Sequence, residues 1–217
     1  ETKADQLNVA GKSYERRREW DKAISCYKEA IESSPKSGFG SRGTAHYNLG
    51  MLYLHLHRPQ EALEPLQMAA DELYMAEEMG KLAQVKNALG ACYLLLGRPA
   101  DAVEPLREGL SLLNQMTGED LYLRLRLLTN LGIALCHIGA YDEAESSLKE
   151  AEWLSTETFD YYKYGEICMS RGYIFKARGA LPEALDYTER ALRFFEAVGH
   201  KQRVADSLLN LAVIQAA

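Results

Sequence analysis

Apolar side chains recur at intervals of three and four residues along the chain, with charged and polar side chains between them. This spacing places the apolar positions on one face of an α-helix and differs from the strict alternation of a half-buried strand. Leu, Ala and Glu are abundant, whereas runs of Val, Ile and Thr are rare, which favours helices over strands. The pattern therefore predicts an all-α protein.

The helical pattern also repeats itself. The string RPQEALEPL, from Arg58 to Leu66, returns as RPADAVEPL, from Arg98 to Leu106. One small residue marks the same register through the whole chain, at steps of about 40 residues. These marker residues are Gly11, Gly50, Gly90, Gly132, Gly172 and Ala212. Twelve residues after each of the first five lies an alanine, and another small residue follows seven positions later.

A turn between two helices is predicted in each repeat. The five turn strings are REWDKA, HRPQEA, GRPADA, GAYDEA and GALPEA. Proline is tolerated in the first turn of a helix, and acidic residues there favour the positive end of the helix dipole. We expect Gly80, Gly118 and Gly199 to end the second helices. Each repeat is thus a helical hairpin, which buries its apolar face only when it stacks on a neighbour.

This pattern resembles the tetratricopeptide repeat family, on strings such as YNLGMLYLHLHRPQEALEPLQMAA and NALGACYLLLGRPADAVEPLREGL. The period of about 40 is longer than the family's usual repeat. In this it is similar to the kinesin light chain type and to peptide-sensing regulators of Gram-positive bacteria. The resemblance implies a right-handed superhelix, an α-solenoid of five hairpins plus a further C-terminal helix. It also implies a concave groove, lined by the first helices, that binds a peptide or a protein segment.

The register predicts one array over residues 1–217. Its repeats are expected at about 4–37, 43–79, 83–117, 122–158 and 163–198, with a partial repeat at 201–217. Because the chain does not begin with Met and the last repeat has only its first helix, we expect a fragment of a longer protein. An exposed apolar face on that last helix could form a homodimer.

Charge and cysteine content narrow the class of partner. The net charge is −6, and the basic cluster at Arg16, Arg17 and Arg18 is flanked by Glu15 and Glu19. We therefore expect no direct contact with nucleic acid and no attraction to an anionic membrane. The four cysteines stand far apart without a CxxC pair and lie in apolar stretches, which is typical of buried free thiols. This favours a cytoplasmic protein.

Catalytic constellations are not evident in the sequence. The five histidines show no metal-ligand spacing, and the glycines belong to the repeat rather than to a phosphate-binding loop. The adjacent Cys136 and His137 point to different faces of a helix. We expect no enzyme activity, no cofactor and no metal.

The asparagines are the most informative polar residues. Asn48, Asn130 and Asn210 each lie two residues before a marker residue, and Asn8 and Asn87 lie three before. Asn is a poor helix former, so its place in helices needs a compensating interaction. One interpretation is that these amides bind the backbone of an extended ligand, because Asn both donates and accepts. The alternative is that they bond across to the neighbouring hairpin.

Further groove positions follow from the resemblance. They are Lys12, Met51, Gln84, Arg126, His137, Tyr173 and Lys176. The three cations among them could meet acidic groups of a ligand. Equally, they could pair with neighbours such as Glu15 and Glu166.

The sequence thus predicts a non-catalytic peptide-binding module. By resemblance it is the sensor or regulatory part of a bacterial transcription regulator. The alternative is a free-standing scaffold for the assembly of a protein complex.

Overall fold

The computed structural model of the protein describes residues 2–118 and 120–216. These residues form α-helices joined by short turns, with no strand among them, which confirms the predicted all-α fold. The helices are α1 Lys3–Arg16, α2 Trp20–Ser33, α3 Phe39–His55, α4 Pro59–Met75, α5 Met79–Leu95, α6 Pro99–Gln115, α7 Leu121–His137, α8 Tyr141–Glu157, α9 Tyr161–Ala177, α10 Leu181–Ala197 and α11 Lys201–Gln215.

The chain divides into two compact units, Glu1–Thr117 and Gly118–Ala217. In the first unit, α1 pairs with α2, α3 with α4 and α5 with α6, and successive hairpins stack through α2 on α3 and α4 on α5. In the second unit, α7 pairs with α8, α9 pairs with α10, and α11 packs on α10. Each unit repeats the predicted hairpin. The prediction that all 217 residues form a single array stays a prediction.

The marker glycines are the points of closest approach within the hairpins. Sixteen residues after each glycine, on the second helix, stands a side chain that a Cβ at the glycine would meet at 2.4 to 2.7 Å. These partners are Tyr27, Leu66, Leu106, Leu148 and Thr188, each 0–2% exposed. No real Cβ is that close to its neighbours, so each hairpin needs glycine here.

The second helices contribute small residues to the same contact. The alanines twelve residues after the marker glycines, such as Ala62 and Ala102, are fully buried. Those seven residues further on, such as Ala69 and Ala151, are also fully buried. The small positions that reveal the repeat in the sequence are therefore the positions at which two helices meet.

Each first helix ends in the same left-handed turn. The second residue after the last helical residue has positive φ in all five hairpins, at Arg18, His57, Gly97, Gly139 and Gly179. The next N–H then reaches back into the helix, as Arg58 N donates to Tyr53 O at 2.9 Å. This is the helix-ending geometry that glycine adopts most easily. Arg18 and His57 adopt it at a cost, because they carry a Cβ.

One predicted helix end is wrong. Gly80 lies inside α5, whereas α4 ends at Met75 and the residue with positive φ in that turn is Glu77. Glycine alone did not reveal the turn because a non-glycine residue takes the left-handed conformation there. Gly118 and Gly199 do follow α6 and α10, with φ of 116° and 70°.

A buried ionic cluster interrupts the apolar packing of the second unit. Arg171 stands directly before its marker glycine, where the first unit has Leu49 and Leu89. It is 7% exposed, forms an ion pair with Glu152 of α8, and stacks on Tyr187 of α10 at 4.4 Å. Buried ion pairs of this kind stabilise a fold less than apolar packing does, but they constrain which partners can meet.

The last helix leaves apolar side chains exposed. Leu208, Leu209 and Val213 of α11 are 51%, 66% and 44% exposed. Ala212, the marker residue of this helix, is also exposed, whereas the marker glycines of the hairpins are buried against a second helix. The homodimer predicted through this helix stays a prediction.

Gly90→Ala tests the closest hairpin contact. We expect it to lower the free energy of unfolding in urea by about 1–3 kcal/mol, because the new methyl group meets Leu106 at 2.4 Å. Gly80→Ala in the same helix is the matched control, since its Cβ meets only the flexible end of Met116, at 3.2 Å. Equal stability of the two variants would contradict the role of the contact.

His57→Gly tests the strain in the turn. The His57 side chain is exposed and its φ is 57°, so glycine should raise the free energy of unfolding by about 1 kcal/mol. Gly97→Ala, at the equivalent turn with φ of 69°, should lower it by a similar amount. Urea denaturation of both variants checks the opposite signs, and a change of the same sign in both would disprove the explanation.

Candidate functional site

Three of the predicted groove residues of the first unit lie around one cavity. Asn8 and Lys12 of α1 and Asn48 of α3 line an open cleft of about 330 Å³. Asp5, Asn8 and Lys12 share a face of α1 because they are spaced by three and four residues. The remaining lining residues are Val9, Gly40, Ser41, Thr44, Glu78 and Lys81.

The two asparagines in this cleft bond across neighbouring hairpins. Asn8 is 7% exposed and its Nδ2 donates to the backbone oxygen of Ser41 at 3.1 Å. Asn48 is 4% exposed and its Nδ2 donates to Asn8 Oδ1 at 3.4 Å. The amides therefore link α1 to α3, as the second interpretation of the asparagines expected. Each amide nitrogen carries two hydrogens, so these bonds do not use all of its donors.

Charges at the cleft are partly paired. Lys81 forms an ion pair with Glu78 at 2.6 Å and donates to Thr44 Oγ1 at 3.1 Å. The Asp5 carboxylate accepts from Ser41 Oγ at 2.6 Å and from the backbone N–H and hydroxyl of Thr2, and these bonds lower its pKa to about 2. Lys12 is exposed and forms no ion pair among the described residues. Glu15, its expected partner, instead accepts from the Tyr27 hydroxyl.

The other predicted residues of the first unit do not line this cleft. Met51 of α3 is half-buried and packs against the apolar core. In α5, Gln84 is exposed and Asn87 is 2% exposed. The cleft thus gathers the residues of α1 and α3, with α5 contributing only at its start.

A second cavity brings together three predicted residues of the second unit. Tyr173 and Lys176 of α9 and Asn210 of α11 line a small, partly open cavity of about 90 Å³. Asn210 Nδ2 donates to Met169 Sδ at 3.2 Å, across the two helices. Lys176 forms no ion pair among the described residues, because Glu166 is held by Lys163 and Arg203 instead.

Arg126, Asn130 and His137 of α7 lie outside this second cavity. Arg126 and His137 are exposed, and Asn130 is half-buried. The His137 ring lies 6.5 Å from the Tyr173 ring, which is itself 50% exposed and 6.3 Å from Tyr141. The contact between the His137 and Tyr173 rings therefore places α7 beside the second cavity.

Sequence reasoning did not identify several of the residues around these cavities. Ser41 was missed because it acts through its backbone oxygen and hydroxyl, neither of which leaves a pattern in the sequence. Thr188 was missed although a signal existed. It is the one residue sixteen positions after a marker glycine that is neither Leu nor Tyr. Gly172 and Thr188 both line the second cavity.

The polar side chains at both cavities carry groups that form hydrogen bonds and ion pairs. Amides, a hydroxyl and ammonium groups can recognise peptide backbone and carboxylates. Within residues 2–118 and 120–216, no group of three His, Cys, Asp or Glu side chains is placed to hold a metal ion. Among the same residues, no helix combines the length and apolar character that crossing a membrane requires.

The cysteines are free, and three of them are buried. Burial raises the pKa of the Cys92 thiol to about 11, and the pKa values of the Cys136 and Cys168 thiols to about 12. Cys26 is half-buried, and its thiol pKa is raised by the same cause. Because the thiolate is the reactive form, these cysteines are poor nucleophiles near neutral pH.

Comparison with known proteins agrees with this architecture. The family model described as Tetratricopeptide repeat matches residues 6–71 and 81–152, more than half of the chain. No curated protein matches the chain in sequence. The match confirms the resemblance predicted from the repeated strings.

Similar solved structures extend over most of the chain. BtubC (BKLC) from P. vanneervenii is 21% identical with a TM-score of 0.73, covering 90% of this chain and 81% of that one. A putative kinesin light chain with TPR-like repeats from Podosopora anserina is 17% identical, with a TM-score of 0.59 and coverage of 100% and 97%. The STAND protein PH0952 from Pyrococcus horikoshii, which has a tetratricopeptide repeat sensor, is 16% identical with a TM-score of 0.76, covering 96% and 32%. These likenesses confirm the α-solenoid fold class.

Thiol labelling checks the burial of the cysteines. At neutral pH, the folded protein should react slowly with a thiol-specific reagent, with Cys26 first, because the other three thiols are buried and protonated. In denaturant all four should react at once. Fast labelling of Cys92, Cys136 or Cys168 in the folded protein would contradict the buried arrangement.

Proposed function

The chain belongs to the tetratricopeptide repeat family, and from this premise we propose that its first helices bind an extended peptide or a segment of a partner protein. Repeats of this family generally mediate contacts between proteins and are generally not catalytic. The single observation that supports the proposal most is the clustering of predicted residues around cavities. Asn8, Lys12 and Asn48 share one, and Tyr173, Lys176 and Asn210 share the other.

Hydrogen bonding in the first cavity suits a peptide backbone. Asn8 and Asn48 are oriented by their bonds to Ser41 and to each other, so they are held in place before a ligand arrives. Fixed donors lose little side-chain entropy on binding. Their remaining N–H groups can donate to peptide carbonyls. On this proposal the asparagines link the hairpins and contact the ligand at the same time.

Each unit also carries cations without ion-pair partners on its first helices. Lys12, Arg126 and Lys176 belong to first helices, and none of them has an ion-pair partner among the described residues. In a chain of net charge −6, cations without partners on the binding face favour acidic ligands. We propose a ligand segment that carries carboxylates.

The cellular context that we propose is the sensor part of a bacterial transcription regulator in the cytoplasm. The likeness to PH0952, which has a tetratricopeptide repeat sensor, supports a sensing role. A gene that encodes a basic helix-turn-helix segment beside these repeats would support the regulator. A gene without one would favour the alternative, a scaffold for complex assembly.

One observation favours the scaffold specifically. Trp153 of α8 and Phe159 in the following turn are 60% and 74% exposed, and neither lines a cavity on the first helices. Phe159 also has a φ of 55°, which is unusual for a bulky residue. Large exposed aromatic side chains often mark a protein contact. A second contact surface is what a scaffold with several partners needs.

Peptide selection tests the proposed binding face. Random short peptides would be selected on the immobilised protein, and the affinity of an enriched peptide would be measured by calorimetry. The double variant Lys12→Met, Arg126→Met should weaken binding about tenfold or more without lowering the melting temperature, because both side chains are exposed and unpaired.

The matched control removes two cations from second helices. Lys28 of α2 and Lys149 of α8 are exposed, so Lys28→Met, Lys149→Met changes the net charge equally and should leave the affinity unchanged. Equal affinity of the two double variants would place the binding face elsewhere. If Asn48→Ala lowers stability but leaves the affinity intact, the asparagines only join the hairpins.

A further inference from the structure

The hairpin beside the second cavity differs in one residue from the packing of the others. In four hairpins the marker glycine is covered by a large side chain, such as Leu106 or Leu148. In the last hairpin Gly172 faces Thr188, which is smaller. Both residues line the cavity of about 90 Å³.

Thr188 is poorly explained as a packing residue. It is 2% exposed, and its Oγ1 donates to the backbone oxygen of Ala184 at 2.7 Å. This bond satisfies the hydroxyl donor, and the threonine side chain occupies less volume than the leucine of three other hairpins. Positions that break a local rule without a gain in packing are often functional. A cavity of this size has room for the polar end of one side chain.

The electrostatics of the cavity select the kind of group. Lys176 is the one charged residue among those that line it, and no carboxylate lines it. Lys176 has no ion-pair partner among the described residues. Asn210 adds an amide whose acceptor is the Met169 sulfur, at 3.2 Å. Sulfur accepts weakly, so the amide can turn to a stronger acceptor at little cost.

We propose that this cavity binds the side-chain carboxylate of an Asp or Glu residue in the bound peptide. Lys176 forms the ion pair, Asn210 donates a hydrogen bond, and the small Thr188 side chain makes the room. The inference rests on the proposed function and names the residue type that one position of the ligand requires. On this inference Thr188 is a specificity residue, because its small side chain leaves room for the ligand carboxylate.

The test uses a random library of short peptides with amidated C termini, selected on the 217-residue protein. Wild type should enrich Asp or Glu at one position of the captured peptides. Thr188→Leu restores the packing of the other hairpins, so it should raise the melting temperature and remove the acidic preference while peptides are still captured. Lys176→Met should remove the same preference and weaken binding of the enriched peptide about tenfold or more.

Lys149→Met is the matched control, because it removes one exposed cation from α8 and should leave the acidic preference unchanged. Capture by wild type without acidic enrichment would overturn this inference and leave the proposed function standing. Acidic enrichment that survives Thr188→Leu would overturn it too. Failure of wild type to capture any peptide would instead overturn the proposed function.

Discussion

The contact between a marker glycine on the first helix and a large side chain on the second is the constraint on which each hairpin depends. At Gly90 a single added carbon would lie 2.4 Å from Leu106, so the two helices are as close as their backbones allow. A glycine meets a side chain sixteen residues later in five hairpins, a large one in four of them and Thr188 in the fifth. Because it fixes how the helices of a hairpin meet, it also fixes which faces of the first helices remain for neighbours and for solvent.

The proposed binding residues lie on the faces of the first helices that the hairpin contact does not cover. On α1, Gly11 packs against Tyr27, whereas Asp5, Asn8 and Lys12 face a cleft shared with α3. In the second unit the same arrangement surrounds a smaller cavity, and there the large partner is replaced by Thr188. The hairpin contact and the proposed binding residues are therefore adjacent, so a change in one partner of the contact would change the shape of the proposed binding face.

Much of the fold could be predicted from the sequence because the hairpin contact is local and recurs. Glycine and alanine at fixed spacing reveal the contact, and the turn prolines mark where the second helix begins; the burial of the alanines follows from the contact. Features that depend on a residue's neighbours in space could not be predicted. Glu77 takes a left-handed turn that Gly80 was expected to mark, and Arg171 with Glu152 replaces an apolar contact. The shared register of the asparagines is visible in the sequence, but the bond from Asn8 Nδ2 to the backbone oxygen of Ser41 could not be predicted from it.

We propose that the first helices form the binding face and that the second helices support them. Hydrogen exchange of the protein with and without a saturating selected peptide tests this claim most directly. On peptide binding we expect slower exchange in the first helices of the unit that binds it, α1 and α3 or α9 and α11. Exchange in the second helices, α2, α4, α6, α8 and α10, should be nearly unchanged. Protection confined to the second helices or to the turn around Phe159 would contradict it.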